Sequence, residues 1–255
     1  MSESYLEAVT ELAKLTGDFA MSHYGSELTV DTKLDGSPVT IADRGAEERA
    51  RAWIERHFPG DGIVGEEFGD LRPDAKRRWI IDPIDGTKSF VRRVPLWGTL
   101  IAVAEGDSVL AGCAYFPAVS ELVAAAVGEG CFWNGARCSV SSLGAIDEST
   151  IVITDDRFAN RPDRAAAWHR LASQAHVVRT WGDCYGYLLL ATGRADVMID
   201  DVVAPWDAAA LYPIVTEAGG SFTDWRGSAT AFGGDIIATN AALAKPVRDI
   251  LIKAS

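Results

Sequence analysis

The chain has 255 residues, 48% of them hydrophobic and 24% charged, with a formal net charge of −12 and a pI near 4.8. That is apolar material for a sizeable core, as one large domain or two small ones, and positive charge is too dispersed to follow a nucleic-acid backbone. No window of about 20 apolar residues can span a bilayer, and MSESYLEAVTELAKLTGDFA at the start is too acidic and amphipathic for a leader, so a cytoplasmic protein with neither a membrane nor a nucleic-acid partner is expected.

In chain order, Leu6, Val9, Leu12, Ala13 and Phe19 recur at helical spacing and predict a helix over 3–24, ended by Gly25. KLDGSPVT reads as a turn-rich link. Ala46, Ala50, Trp53 and Ile54 mark the inner stripe of a second helix over 42–57, stopped by Pro59 and Gly60. GIVGEE and WIID are short strands. The runs TLIAVAEG, VLAGCAYFP, SELVAAAV and CFWNG, divided by EGDS, PAVS and GEG, predict an antiparallel meander. Its unbroken apolar runs imply cover on both faces, partly by the two helices.

The second half alternates. Strands STIVIT, HVVRT and ADVMI are interleaved with helices over 161–174 and in CYGYLLLATG. APWDAAALYPIVTEAGG, strands SFTDW and DIIATN, and a helix over 244–253 complete an α/β pattern. The expected division is an N-terminal α+β domain over 1–140 and a C-terminal α/β domain over 141–255. Cys113, Cys131, Cys138 and Cys184 form no CxxC pair and read as reduced thiols in or near the core.

The chemistry concentrates in WIIDPIDGTKS. Asp82 and Asp85 stand three residues apart at the end of an apolar strand, with Pro83 between them. Two buried carboxylates that converge raise a pKa strongly unless a cation lies between them, and paired oxygen donors suit Mg²⁺ or Mn²⁺. If a helical turn opens at Gly86 and Thr87, its free N–H groups can hold a phosphate oxygen, and the Thr87 hydroxyl can orient a water. A turn with one capping and one solvated aspartate would account for the same pair without any metal. Glu66 and Glu67 end the preceding strand. Asp207 and Asp43 open helices, where each can equally be a first-turn charge. Together these carboxylates supply ligands for two or three divalent ions.

GEE at 65–67, DPIDGT at 82–87, PWDAAALYPIVTEAGG at 205–220 and SPVTIAD at 37–43 resemble the inositol monophosphatase family over nearly the whole chain. The resemblance implies a layered αβαβα sandwich of the inositol monophosphatase and fructose-bisphosphatase type, with the active site between its halves. It implies Mg²⁺-dependent hydrolysis of a phosphate monoester, with Mn²⁺ as a possible substitute, by a homodimer. Glu66, Asp82, Asp85, Asp207 and the Ile84 carbonyl would be metal ligands. Glu66 and Thr87 would position the water, and Asp43 would hold water ligands of a further ion. Asp85, Gly86 and Thr87 would surround the phosphate, and Lys33 would be a loop cation near the site.

The resemblance also bears on the leaving group. TWGDCYGY and DGTKSF look more like the family's histidinol phosphatases than its inositol phosphatases, whose common form is DGTxNF. Asp200 aligns with a glutamate that binds a substrate hydroxyl in inositol-cleaving members, and Asp183 falls where other members often carry small residues. Asp183 and Asp200 would make an acidic pocket for the ammonium and imidazole of histidinol phosphate, with Trp181 and Tyr185 as an aromatic wall. Asp183 as a helix cap, and Trp181 and Tyr185 as core residues, are the plain readings. Arg92 and Arg93 are either solvated or recognise a second phosphate, which would favour a bisphosphate nucleotidase. Inositol monophosphatase or broad sugar-phosphate phosphatase activity also fits the family resemblance. An acidic cation-binding protein with no catalysis fits the charge pattern alone.

Overall fold

A computed structural model of the chain describes residues 4–26, 30–32, 38–159 and 161–252. It opens with helix α1, Tyr5–His23, followed by Gly25 in the left-handed region at φ 82°. Strands β1, Val30–Thr32, and β2, Pro38–Thr40, pair antiparallel. The turn-rich link is therefore bounded by a hairpin that its short, polar sequence did not announce. Lys33 and Ser37 lie outside the described residues.

Helix α2, Ile41–His57, starts on a reciprocal cap. Thr40 Oγ1 accepts from the Ala42 amide at 3.1 Å, and the Thr40 amide donates to Asp43 Oδ2 at 2.8 Å. An eight-stranded sheet follows. It contains β3 (Gly62–Gly65), β4 (Gly69–Leu71), β5 (Arg77–Asp85), β6 (Gly98–Glu105), β7 (Ser108–Phe116), β8 (Glu121–Ala126), β9 (Gly130–Trp133) and β10 (Ala136–Arg137), in the spatial order β10-β9-β8-β7-β6-β5-β3-β4. Strands β6 to β9 form the expected antiparallel meander, which β5 and β10 extend at either end, and β3 lies parallel to β5. A short helix, α3 (Thr87–Phe90), interrupts the run between β5 and β6.

Strand periodicity explains the cover on both faces. Trp79, Ile81, Ile101 and Val103 pack against Val9, Leu12, Trp53 and Ile54 of α1 and α2. Their neighbours Ile80, Leu100 and Ala102 face the opposite way, into the core cluster that runs through the middle of the molecule.

The second sheet consists of β11 (Thr150–Ile153), β12 (Val177–Arg179), β13 (Val197–Asp200), β14 (Ser221–Thr223) and β15 (Ile236–Thr239), in the order β12-β11-β13-β15-β14. Its helices are α4 (Pro162–Ala172), α5 (Cys184–Ala191), α6 (Pro205–Ala208), α7 (Leu211–Glu217) and α8 (Ala244–Ile252). Leu188 and Leu190 of α5 and Ile214 and Val215 of α7 share one core with both sheets. Trp168 and Leu171 of α4 and Val247 and Leu251 of α8 cover the far face, against Ile151, Ile153, Val197 and Ile199. The layers are thus helix, sheet, helix, sheet, helix, as expected. Layer contact is close: a Cβ on Gly112 of β7 would lie 2.8 Å from Ala210 Cα, just before α7. Among the described residues no helix is long and apolar enough to cross a membrane.

Candidate active site

Asp82 and Asp85 present a geometric puzzle, because side chains three apart on a regular strand point to opposite faces. The ladder between β5 and β6 solves it. Asp82 faces Leu100 and Asp85 faces Gly98, so one extra residue sits on β5 between them. That bulge, at Pro83, which has no amide to donate, returns Asp85 to the side of Asp82. Thr99 Oγ1 ties down the Pro83 carbonyl at 2.8 Å, and the Ile84 amide donates to Asp82 Oδ1 at 3.0 Å. Asp207, in the first turn of α6, joins them from the other half of the chain. Carboxylate oxygens of Asp82, Asp85 and Asp207 all lie within 4.8 Å of one another.

Glu66 follows β3, which is hydrogen-bonded to β5, and its amide donates to the Ile81 carbonyl at 3.3 Å. Its side chain hydrogen-bonds Asp82. Burial first, and then the charges of Glu66, Asp85 and Asp207, hold Asp82 well above the usual carboxylate range. Burial, Asp183 and Asp207 do the same to Asp85, opposed by the Cys184 amide. Carboxylates pressed together in this way need a proton or a cation between them. All the donors are hard oxygens, which suits Mg²⁺ in kind and in number.

Asp43 sits below this cluster. Its Oδ2 accepts from Thr40, while Oδ1 lies 3.4 Å from Thr87 Oγ1. Burial pushes its pKa up to about 6 against the opposing pull of Thr40. Thr87 Oγ1 also donates to the Ile84 carbonyl at 2.9 Å. Gly86, the residue before α3, has φ 84°, and a Cβ there would meet Leu96 O at 3.1 Å and Asp183 Oδ2 at 3.2 Å. Both the backbone conformation and the space call for glycine.

The second wall is Asp183. It takes the position before α5 but makes no side-chain cap. Asp85 Oδ2 instead accepts the Cys184 amide at 2.6 Å, from a strand 99 residues earlier in sequence. This decides against the helix-cap reading of Asp183. The residue is held at φ 50°, a conformation that costs an aspartate roughly 1 kcal/mol or more, by the hydrogen bond its amide donates to Thr154 Oγ1 at 2.8 Å. Burial raises its pKa and the nearby Lys88 ammonium lowers it.

Asp200 lies deeper, 6% exposed, and accepts from Tyr187 Oη at 2.7 Å. Burial pushes it up to about 7, opposed by hydrogen bonds from Thr154 and Tyr187. Glu66, Asp85, Gly86, Thr87, Asp183 and Asp207 line an open cleft of about 410 Å³. Asp200 lines a small 60 Å³ chamber that shares Asp85, Asp183 and Asp207 with it.

The aromatic wall is not built as expected. Tyr185 turns away, packing edge-on to Phe116 and placing its hydroxyl 3.3 Å from Glu121. Helical geometry sends it opposite to Asp183. Trp181 is 42% exposed with Arg179 over its ring at 5.8 Å, and it lines neither cavity. Arg92 donates to the Lys88 carbonyl at 3.0 Å and Arg93 stands at φ 60°, and neither lines the cleft.

Three participants escaped sequence reasoning. Lys88 lay inside the WIIDPIDGTKS motif, but its nearness to Asp183 depends on the cleft that brings these distant segments together. Thr154 ends a strand, which was a usable signal. Tyr187, in an apolar helix, looked like core and is both core and partner to Asp200.

The sequence model of the inositol monophosphatase family matches residues 1–252. A histidinol-phosphatase of Chlorobaculum parvum is 42% identical over 94% of this chain and 93% of its own. One from Mycobacterium tuberculosis is 39% identical over 95% and 96%. Among solved structures, an inositol monophosphatase from Zymomonas mobilis superposes with a TM-score of 0.87 at 32% identity, covering 97% of both chains.

Proposed function

The chain belongs to the inositol monophosphatase family, and from that premise we propose that it is a Mg²⁺-dependent phosphate monoester hydrolase whose main substrate is histidinol phosphate. One observation carries the substrate: the wall facing the carboxylate cluster is itself acidic. Asp183, whose side chain caps no helix and whose φ is 50°, stands in the cleft, with Asp200 behind it. A neutral polyol gains little from such a wall, whereas an ammonium or imidazolium gains a charge-assisted hydrogen bond. The names of the two similar histidinol-phosphatases point the same way.

Asp82, Asp85, Asp207, Glu66 and the Ile84 carbonyl would hold two or three Mg²⁺ ions. When bound, these ions supply Lewis acidity, lowering the pKa of water and offsetting phosphoryl charge. The chain's own residues do the rest. Thr87 Oγ1, within reach of Asp43 Oδ1, orients the attacking water together with Glu66. Asp43, near neutrality, is placed to take the proton through Thr87. The amides of Thr87 and Lys88 belong to the first turn of α3, where a helix has no acceptor of its own for them, and they are available to the phosphate. Asp183 then positions the leaving group. A homodimer is the proposed solution state, on the family resemblance; sedimentation at the single-chain mass of 27.3 kDa would overturn it.

The test is phosphate release from histidinol phosphate, inositol 1-phosphate and adenosine 3′,5′-bisphosphate, each with Mg²⁺ and with EDTA. A chelator-sensitive rate that is highest on histidinol phosphate is expected. A faster rate on another ester would leave the carboxylate cluster intact and discard the acidic-wall reading. No chelator-sensitive hydrolysis of any ester would favour a binding protein.

A further inference from the structure

Far along the meander from the cluster of aspartates, two cysteines meet. Cys131 is the second residue of β9 and Cys138 follows β10, the two arms of a hairpin turned at Asn134 and Gly135. The ladder pairs Trp133 with Ala136 and Phe132 with Arg137, and the next rung is Cys131 with Cys138. The Cys138 amide donates to the Cys131 carbonyl at 3.0 Å. Hydrogen-bonded rungs hold Cα atoms about 5.5 Å apart, inside the roughly 4.4–6.8 Å that a disulfide spans. The sulfurs of Cys138 and Cys131 already lie 3.5 Å apart, within hydrogen-bonding distance. Closing the bond takes the sulfurs from 3.5 Å to about 2.05 Å, with rotation of both side chains and a small inward shift of the hairpin arms.

We propose that Cys131 and Cys138 form a site of reversible oxidation, closing to an intramolecular disulfide across the β9–β10 hairpin. The two thiols are not equivalent. Cys131 is buried and Cys138 is partly open. The hydrogen bond with Cys131 and the Arg194 guanidinium lower the Cys138 pKa, while that same hydrogen bond and burial raise that of Cys131. Arg194 is fixed in place by Glu121, at 2.6 Å, and lies 4.8 Å over the Trp133 ring.

Cys138 is therefore the attacking thiol and Cys131 the resolving one. With a small-molecule disulfide as oxidant, the Cys138 thiolate displaces one thiolate and forms a mixed disulfide. Cys131 then loses its proton, attacks the Cys138 sulfur and expels the second thiolate. Two cysteine thiols are oxidised, and one disulfide is reduced to two thiols.

The experiment incubates the folded, full-length chain with glutathione disulfide at neutral pH. It quenches with acid, alkylates under denaturing conditions and maps the peptides. Two of the four thiols should disappear, the bond should join Cys131 to Cys138, and dithiothreitol should restore both. Cys131→Ser should accumulate glutathione on Cys138, and Cys138→Ser should keep its remaining thiols free. Persistence of all four thiols in the wild-type chain, or a bond mapped to any other pair, would overturn the proposal. Glutathione on Cys131 in the Cys138→Ser variant would overturn the assignment of the attacking thiol.

Discussion

Asp82 is the residue on which the site depends most. It is nearly fully buried and touched by three further carboxylates, so its charge is tolerable only beside a cation or a proton. Asp82→Asn keeps the volume and removes the charge. It should cut kcat/KM by about two to three orders of magnitude and weaken Mg²⁺ binding in calorimetry. Normal turnover at saturating Mg²⁺ would sink the metal-centred reading. Asp183→Asn probes the other wall. A lost charge-assisted hydrogen bond is worth about 1.5–3 kcal/mol, so kcat/KM on histidinol phosphate should fall roughly 10- to 100-fold, and far less on a neutral sugar phosphate. Equal losses on both substrates would remove cation recognition from the mechanism.

Among the elements, α2 supports the site with two carboxylates one turn apart. Asp43 reaches Thr87, while Glu47, fully buried, pairs with Arg51 at 2.7 Å and accepts the amides of Glu67 and Phe68 at 2.7 and 3.2 Å. Glu47 thereby fixes the turn that carries Glu66. Glu47→Ala leaves those amides without their acceptor and should cost about 2–4 kcal/mol in chemical denaturation. It should also raise the Mg²⁺ concentration needed for half-maximal activity. A variant with wild-type stability and Mg²⁺ response would show the turn to be held by other means. Gly112 tests the contact between layers. Gly112→Ala drives a methyl into the backbone at Ala210, and the overpacking should cost about 1–3 kcal/mol, read as a lower denaturation midpoint with activity per folded molecule unchanged.

At the scale of the whole molecule, the acidic centre sets the response to pH. Asp43 at about 6 and Asp200 at about 7 lie above the unfolded value of about 3.9, and Asp82, Asp85 and Asp183 are raised as well. The folded chain therefore holds protons that the unfolded chain has lost. Their contribution to stability is complete below about pH 4 and is lost as pH rises through 6 to 7. Without metal, Tm should fall by about 5 °C or more between pH 5 and pH 8. Mg²⁺ should restore more stability at pH 8, where the carboxylates are ionised, than at pH 5. A metal-free Tm that rises over this range would contradict the reading of a crowded acidic centre.

The sequence by itself determined the order of the main helices and apolar strands, because apolar periodicity and glycine or proline breaks are local, while the short polar strands β1, β2, β4 and β10 left no such mark. It marked the meander and its two covered faces, since runs such as TLIAVA leave no polar side for solvent. It also marked Glu66, Asp82, Asp85 and Asp207 as candidate metal ligands, and the family resemblance gave them and Thr87 their expected roles. What only the tertiary structure decided depends on contacts between distant segments. The bulge at Pro83 turns Asp85 towards Asp82, and a regular strand would have parted them. Asp85 caps α5 and frees Asp183, while helix phase sends Tyr185 to Glu121 and brings Tyr187 to Asp200. None of these is encoded within one stretch of chain: each side chain takes the partner that the packing of two sheets against a shared helical layer leaves within reach.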